Sequence, residues 1–257
     1  MGGGVSHNRS GKVREGIVAA VIFTVVVLLL CGVSAMIFAL ARFVAGESLT
    51  ASAVTESEKL PVIVIDAGHG GIDSGAVGVD GSLEKEINLS VAKRLAALCE
   101  LSGIEYVLTR TDDNMLTPES VTEHRKMHDL KNRLAVTEEI SGTGREAVLV
   151  SIHMNNFPSP KYSGLQVWYS KNTPESSELA AFVQGFARTW LDTSNTRQTK
   201  PATSAIYILD RAKVPAVLVE CGFLSNPDEC ARLGTEEYQK DLTAVLFAAI
   251  CEYLSKQ

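Results

Sequence analysis

Short, almost wholly apolar runs separated by stretches of helical period constrain this chain more than any other feature. The runs cover residues 62–66, 106–109, 147–153, 165–169, 205–209 and 216–220. A run that is apolar on both alternating faces reads as a strand covered on both sides of its sheet. Between the runs, apolar residues recur every three or four positions. The first such stretch, 83–101, carries Ile87, Val91, Leu95 and Leu98, and a second, 124–140, carries Met127, Leu130 and Leu134. A third, 177–191, carries Leu179, Phe182, Val183, Phe186 and Trp190, and the last, 235–254, carries Tyr238, Leu242, Val245, Leu246 and Ile250. These are core stripes with no chemistry of their own. Strands alternating with helices predict an α/β fold, with a mainly parallel central sheet of about six strands flanked by helices.

A second constraint precedes this domain. Residues 16–41 contain no Asp, Glu, Lys, Arg or His. As a helix they would span roughly 39 Å, enough to cross a bilayer's ~30 Å apolar core. A cleaved signal's apolar core is shorter, about 7–15 residues. Residues 33–35, Val-Ser-Ala, would suit cleavage, but the length favours an uncleaved anchor. Arg9, Lys12 and Arg14 lie before the run and Arg42 after it, which favours a cytoplasmic N-terminus and an exported body. The expected organisation is a cytoplasmic tail (1–15), a transmembrane helix (16–41), a linker (42–60) and one folded domain (61–257). The product would be a single-pass membrane protein with its domain outside the cytoplasm.

Charge narrows the partners. Of 24 Lys and Arg, four precede Gly46, and of 30 Asp and Glu, only Glu15 does, so the body carries a net charge of −9. That opposes nucleic acid and anionic lipid surfaces as ligands. Outside the apolar run lie Cys99, Cys221, Cys230 and Cys251, without a metal-binding CxxC spacing. A Cys221–Cys230 disulfide is conceivable in an exported domain, but buried free thiols are expected.

The stretch "IDAGHGGIDSG", 65–75, looks at first like a phosphate cradle. A dinucleotide fingerprint needs a third glycine where Asp73 stands and a helix at once, whereas the next helical pattern starts near 83. What remains is His69 just beyond a strand's end. His153 and Glu220 end two other runs, and ligands in α/β sheets gather beyond the carboxyl ends of strands. One such histidine alone reads as structural. Two histidines and a glutamate at three strand ends are harder to dismiss.

Glu84 continues the buried stripe of the first helix, three residues before Ile87 and seven before Val91, whereas Glu86 falls on the solvated face. An inward carboxylate there either favours the helix N-terminus or reaches His69 as a metal ligand. Catalytic zinc takes three ligands of these types and keeps a position for water. His69, Glu84 and His153 would fill them, leaving Glu220 off the metal as proton acceptor and donor. His124 and His128 share an i, i+4 spacing, but Arg125 stands where a zincin motif needs Glu, and Lys126 and Lys131 mark a solvated face. Cys221 paired with His153 is a further nucleophilic option that no spacing supports.

The segments "VIVIDAGHGGIDSGAVG", "EKEINLSVAKRL", "VLTRTDD", "SIHMNN" and "AVLVECGFLSNPDE", in this order, resemble the zinc-dependent N-acetylmuramoyl-L-alanine amidases of the Amidase_3 type. The resemblance runs from about residue 62 to 254, and it is nearest to the membrane-anchored, germination-specific branch of endospore formers. It implies Zn²⁺ as cofactor, with His69, Glu84 and His153 as ligands and Glu220 as the catalytic residue. It places a family arginine on Arg133 without assigning its role. Ala67 stands where proline is frequent, and Cys221 where a small or apolar residue is common. The implied substrate is peptidoglycan, cut between the lactyl group of N-acetylmuramic acid and L-alanine, with stem peptides removed from spore cortex on the way to muramic-δ-lactam. Asn155 and Asn156 would contact sugar or peptide. The implied partners are peptidoglycan and, through the N-terminal helix, the membrane, with room for an activating protein. A zinc peptidase acting within the stem peptide and a non-catalytic wall-binding module are the alternatives.

Overall fold

The computed structural model describes residues 60–257. The expected tail, transmembrane helix and nearly all of the linker lie outside the described residues. Among the described residues, no helix is long and apolar enough to cross a membrane.

The six strands are β1 (Val62–Ala67), β2 (Tyr106–Leu108), β3 (Ala147–Asn155), β4 (Gln166–Tyr169), β5 (Lys200–Pro201) and β6 (Ala216–Phe223). They form one sheet in the order β2-β1-β3-β6-β4-β5. All pairings are parallel except β4 with β6, which is antiparallel. The helices are α1 (Glu84–Leu101), α2 (Arg125–Gly142), α3 (Glu175–Phe186), α4 (Tyr207–Arg211), α5 (Pro227–Leu233) and α6 (Glu236–Leu254).

Alternation along the strands divides the core into two layers. Ile63, Ile65, Val148, Val150, Val217 and Val219 pack with α1, α3 and α6 on one face. Val64, Leu149, Ala216 and Leu218 pack with α2 and α4 on the other. This two-sided cover explains why β1, β3 and β6 read as continuous apolar runs. It also fixes the side each later residue takes. His153 continues the series Ala147, Leu149, Ser151, and Glu220 continues Ala216, Leu218, so both turn to the α2 face. Cys221 turns the other way, into the α1 core.

Two expectations fail. Residues 205–209 form no strand; they enter the short helix α4, and the sixth strand is instead the two-residue edge β5. Five apolar residues are too few for periodicity to separate strand from helical turn. Trp190 and Met127 also leave their expected core stripes, 73% and 40% exposed. A π-helical turn, Ala187–Leu191, continues α3, closed by Asp192 N–H donating to Ala187 O at 2.9 Å. Its wider turn rotates less per residue than an α-helix, which shifts the phase and carries Trp190 off the buried stripe.

A buried ion pair ties the sheet to α2. Arg133, on α2, donates to Asp66 Oδ1 at 2.7 Å and to Asp129 Oδ2 at 2.6 Å. Thr109 and Ser151 hydroxyls also donate to Asp66, at 2.7 and 2.6 Å. Burial opposes ionisation of Asp66, but the Arg133 charge and the Ser151 hydrogen bond outweigh it and hold the carboxyl down to about 2. Its folded value is below its ordinary 3.8, so the stability it contributes is complete above that pH and is lost as pH falls through about 2. The linkage is worth about 2 kcal/mol. Denaturant unfolding followed over pH 2–6 should show this acid limb in the wild type and lack it in Asp66→Asn. That variant should also be weaker at neutral pH by about 3 kcal/mol, because Arg133 loses a buried partner.

Candidate active site

The site is assembled at the carboxyl ends of β1, β3 and β6, which lie side by side in the sheet. The chain runs from β1 outward to β2 and then across to β3, so the crevice at β1 and β3 is the topological switch point of the sheet.

Beyond β1 the backbone leaves the ladder, and its carbonyls find side-chain donors. Ala67 O accepts from Arg110 Nε and a terminal nitrogen of Arg133, at 2.8 and 2.6 Å. Gly68 O accepts from Arg110 and Asn88, both at 3.1 Å. His69 O accepts from Arg133 at 2.6 Å. So held, His69 adopts φ 62°, in the left-handed region that a β-carbon disfavours.

Glu84 opens α1. The loop before it caps the helix, Ala76 O accepting from Glu84 N at 3.0 Å and Ser74 O from Lys85 N at 3.1 Å. The Glu84 side chain then turns inward. Its Oε2 accepts from Ala76 N at 2.7 Å, and its Oε1 from Met154 N at 3.0 Å. His69 Nε2 lies 3.2 Å from Oε1 and His153 Nδ1 3.0 Å from it. The two imidazoles meet edge to face, 4.9 Å between centroids. One ligand atom from each of the three residues falls within 4.8 Å of the others. Glu84 and His69 respond in opposite directions to this crowding. Burial opposes Glu84's charge, but hydrogen bonds from His153 and His69 hold its carboxyl well below the usual range. Burial also disfavours a charged His69, yet Asp73 and Glu84 raise it to about 9.

Two imidazole nitrogens and one carboxylate oxygen are the donor set of a hydrolytic zinc centre, and the surroundings fit a cation. A β-carbon at Gly68 would stand 2.3 Å from the His153 ring, and one at Gly75 2.5 Å from Glu84 Oε2. Both glycines therefore let backbone pass directly against prospective ligands.

Glu220 lies opposite His153 in the β3–β6 pairing. Burial raises its carboxyl to about 7, assisted by Glu84 and opposed by His153 and His69. Its Oε2 is buried with no hydrogen-bond partner among the described residues. His69, His153 and Glu220 line one cleft of about 230 Å³, with Leu130, Ile206 and Tyr207 on its walls. A larger open groove, about 820 Å³, follows edge strand β2 and has neither His nor Cys in its lining.

Other residues singled out in the sequence fall elsewhere. Asn155 and Asn156 end β3 and begin the next loop, outside the lining of this cleft. His124 and His128 are exposed and join no metal-capable group among the described residues. Cys221 is buried, and burial pushes its thiol far up. Cys99, Cys221, Cys230 and Cys251 are all free thiols. Sequence reasoning passed over Arg110, Asn88 and Asp73. Its place in "VLTRTDD", one of the family-like segments, was the one signal available for Arg110.

Comparison with known proteins gives a consistent picture. The family model described as N-acetylmuramoyl-L-alanine amidase matches residues 63–252. The germination-specific N-acetylmuramoyl-L-alanine amidase of Bacillus subtilis (strain 168) is 33% identical over 198 residues, which cover 76% of this chain and 81% of that protein. Among solved structures, the CwlD amidase of Clostridioides difficile, in complex with the GerS lipoprotein, is 40% identical with a TM-score of 0.71, covering 77% of this chain and 100% of that one. The amidase AmiC2 of Nostoc punctiforme is 32% identical with a TM-score of 0.64, covering 76% and 97%.

Gly68→Ala tests the close approach directly. The added methyl should displace the His153 ring and weaken divalent-metal binding at least about tenfold, read by chelator competition. Unchanged affinity would show that the ring sits elsewhere in solution.

Proposed function

We propose a mechanism from an established premise: this chain belongs to the N-acetylmuramoyl-L-alanine amidase family. It is an amidase of peptidoglycan. In our reading the reaction is zinc-dependent hydrolysis of the amide between the lactyl group of N-acetylmuramic acid and L-alanine. The observation that carries this is the convergence of His69, Glu84 and His153 within 4.8 Å, beside a Glu220 carboxyl with a buried, unpartnered oxygen.

His69, Glu84 and His153 would hold the ion. Zinc, when bound, supplies Lewis-acid polarisation of the scissile carbonyl and acidifies water. Glu220 does the proton work. Its raised pKa suits a group that must both take and return a proton near neutrality. It accepts a proton from the attacking water as the carbon–oxygen bond forms. It returns that proton to the alanine nitrogen as the carbon–nitrogen bond breaks, releasing the stem peptide. The walls of Leu130, Ile206 and Tyr207 limit solvation on one side of the cleft, in keeping with the raised Glu220 carboxyl.

The biological setting follows the relatives. Likeness to a germination-specific amidase supports removal of stem peptides from spore-cortex peptidoglycan, on the way to muramic-δ-lactam. The apolar run at 16–41 supports a single-pass membrane protein with the amidase domain outside the cytoplasm. The CwlD amidase was solved with a lipoprotein, which supports a protein partner for this chain as well.

Purified peptidoglycan incubated with protein and zinc should gain free L-alanine amino termini while its glycan strands stay intact. New cuts between stem-peptide residues would indicate a peptidase, and absence of products a binding module. Glu220→Gln should lower kcat by about 10²–10⁴-fold with zinc binding retained; an unchanged kcat would remove Glu220 from the chemistry. Spores of a deletion strain should lack muramic-δ-lactam, and normal lactam content would overturn the cortex assignment.

A further inference from the structure

The turn that presents His69 folds back on itself. Gly70 and Asp73 exchange two backbone hydrogen bonds, each 3.0 Å. His69, Gly70 and Gly71 all have positive φ, at 62°, 138° and 56°. This tight reversal returns the Asp73 side chain to the residue four positions earlier. Asp73 Oδ2 lies 3.0 Å from His69 Nδ1 and 3.2 Å from Lys126 Nζ. Its other oxygen accepts from Gly75 N at 3.3 Å. One carboxylate thus touches the histidine, the neighbouring turn against Glu84, and the first turn of α2.

The His69 ring therefore stands between two carboxylates, with Glu84 facing Nε2 and Asp73 facing Nδ1. His69 Nδ1 is buried without a fully formed hydrogen bond among the described residues, and Asp73 Oδ2 stands 3.0 Å from it, within hydrogen-bond distance. An acceptor at Nδ1 keeps the proton there and leaves the Nε2 lone pair free towards Glu84 and His153. It also opposes a flip of the ring, which would exchange the nitrogen for carbon at the ligand position. His69 needs such help, because its backbone is in a disfavoured conformation.

We propose that Asp73 is a positioning residue, the outer carboxylate that fixes the tautomer and orientation of His69 for metal binding, with Lys126 holding that carboxylate from the α2 side. This rests on the reading of His69 as a zinc ligand. In this role Asp73 acts through His69.

The test uses the full chain with zinc as probe. Asp73→Ala should raise the zinc dissociation constant about 10–100-fold, by competition with a chromogenic chelator. Asp73→Glu, keeping the acceptor, should recover part of that loss. The metal-free Asp73→Ala protein should melt within about 2 °C of the wild type, and its kcat/KM should return towards wild type at saturating zinc. An affinity within about threefold of wild type, or a metal-free melting point lowered by more than about 6 °C, overturns the inference. His69→Ala separates the two readings. If it also binds zinc as the wild type does, the metal centre itself falls; if it loses zinc while Asp73→Ala does not, only the positioning role falls.

Discussion

The pairing of Asp66 with Arg133 is the contact on which the rest of the site depends. Both side chains are almost wholly buried, and burying two charges costs more than their attraction returns unless every remaining donor and acceptor is matched. Here nearly all are matched. Asp66 takes two hydroxyls besides the guanidinium. Arg133 spends its other donors on Asp129 and on the carbonyls of Ala67 and His69. The pair's value lies less in stability than in direction. A strand that simply ended at Ala67 would leave three successive carbonyls to water. With Arg110 on one side and Arg133 on the other, those carbonyls are drawn to fixed donors, and His69 is turned into a conformation it would not choose alone.

Around that turn, two carboxylates of the same type are pushed apart. Glu84 collects backbone N–H groups and two imidazoles, so it stays ionised and suits a cation. Glu220 is buried with an unpartnered oxygen and near another carboxylate, so its proton is held to about 7. Different surroundings thus divide the roles of ligand and proton carrier between two glutamates. The glycines at 68 and 75 make this possible, since a β-carbon at either would occupy space that His153 or Glu84 now fills.

Much of this was legible in the sequence, for identifiable reasons. β1, β3 and β6 are covered on both faces, so each reads as an unbroken apolar run, and a polar residue closing such a run stands out. Glu84 was readable from helical phase, because it prolongs a stripe that must face the sheet. Other parts depend on contacts that no local pattern encodes. Arg110 and Asp113 reach the His69 turn from about 40 residues away. Residues 205–209 have the composition of a strand but form a turn and a short helix at the cleft wall, where Ile206 and Tyr207 are needed as side chains rather than as a ladder. Trp190 kept the α-helical count and was lost to a π turn, which sequence periodicity does not announce.

The sheet order explains why four residues so distant in sequence meet. β1, β3 and β6 are consecutive neighbours, and adjacent strands lie about 4.8 Å apart. Residues at their carboxyl ends are therefore near one another before any side chain is chosen. Alternation then selects the face, and His153 and Glu220 share it because each is an even number of residues from Leu149 and Leu218. β1 ends too early to supply its histidine from the ladder, so His69 must come from a turn bent back over the strand ends. That bend needs the arginine donors and a glycine-rich loop. The third donor, Glu84, comes from outside the sheet, on the helix that follows β1. The helix after β1 starts beside the switch point, and its first residue, Glu84, places an inward carboxylate oxygen 3.2 Å from His69 Nε2 and 3.0 Å from His153 Nδ1.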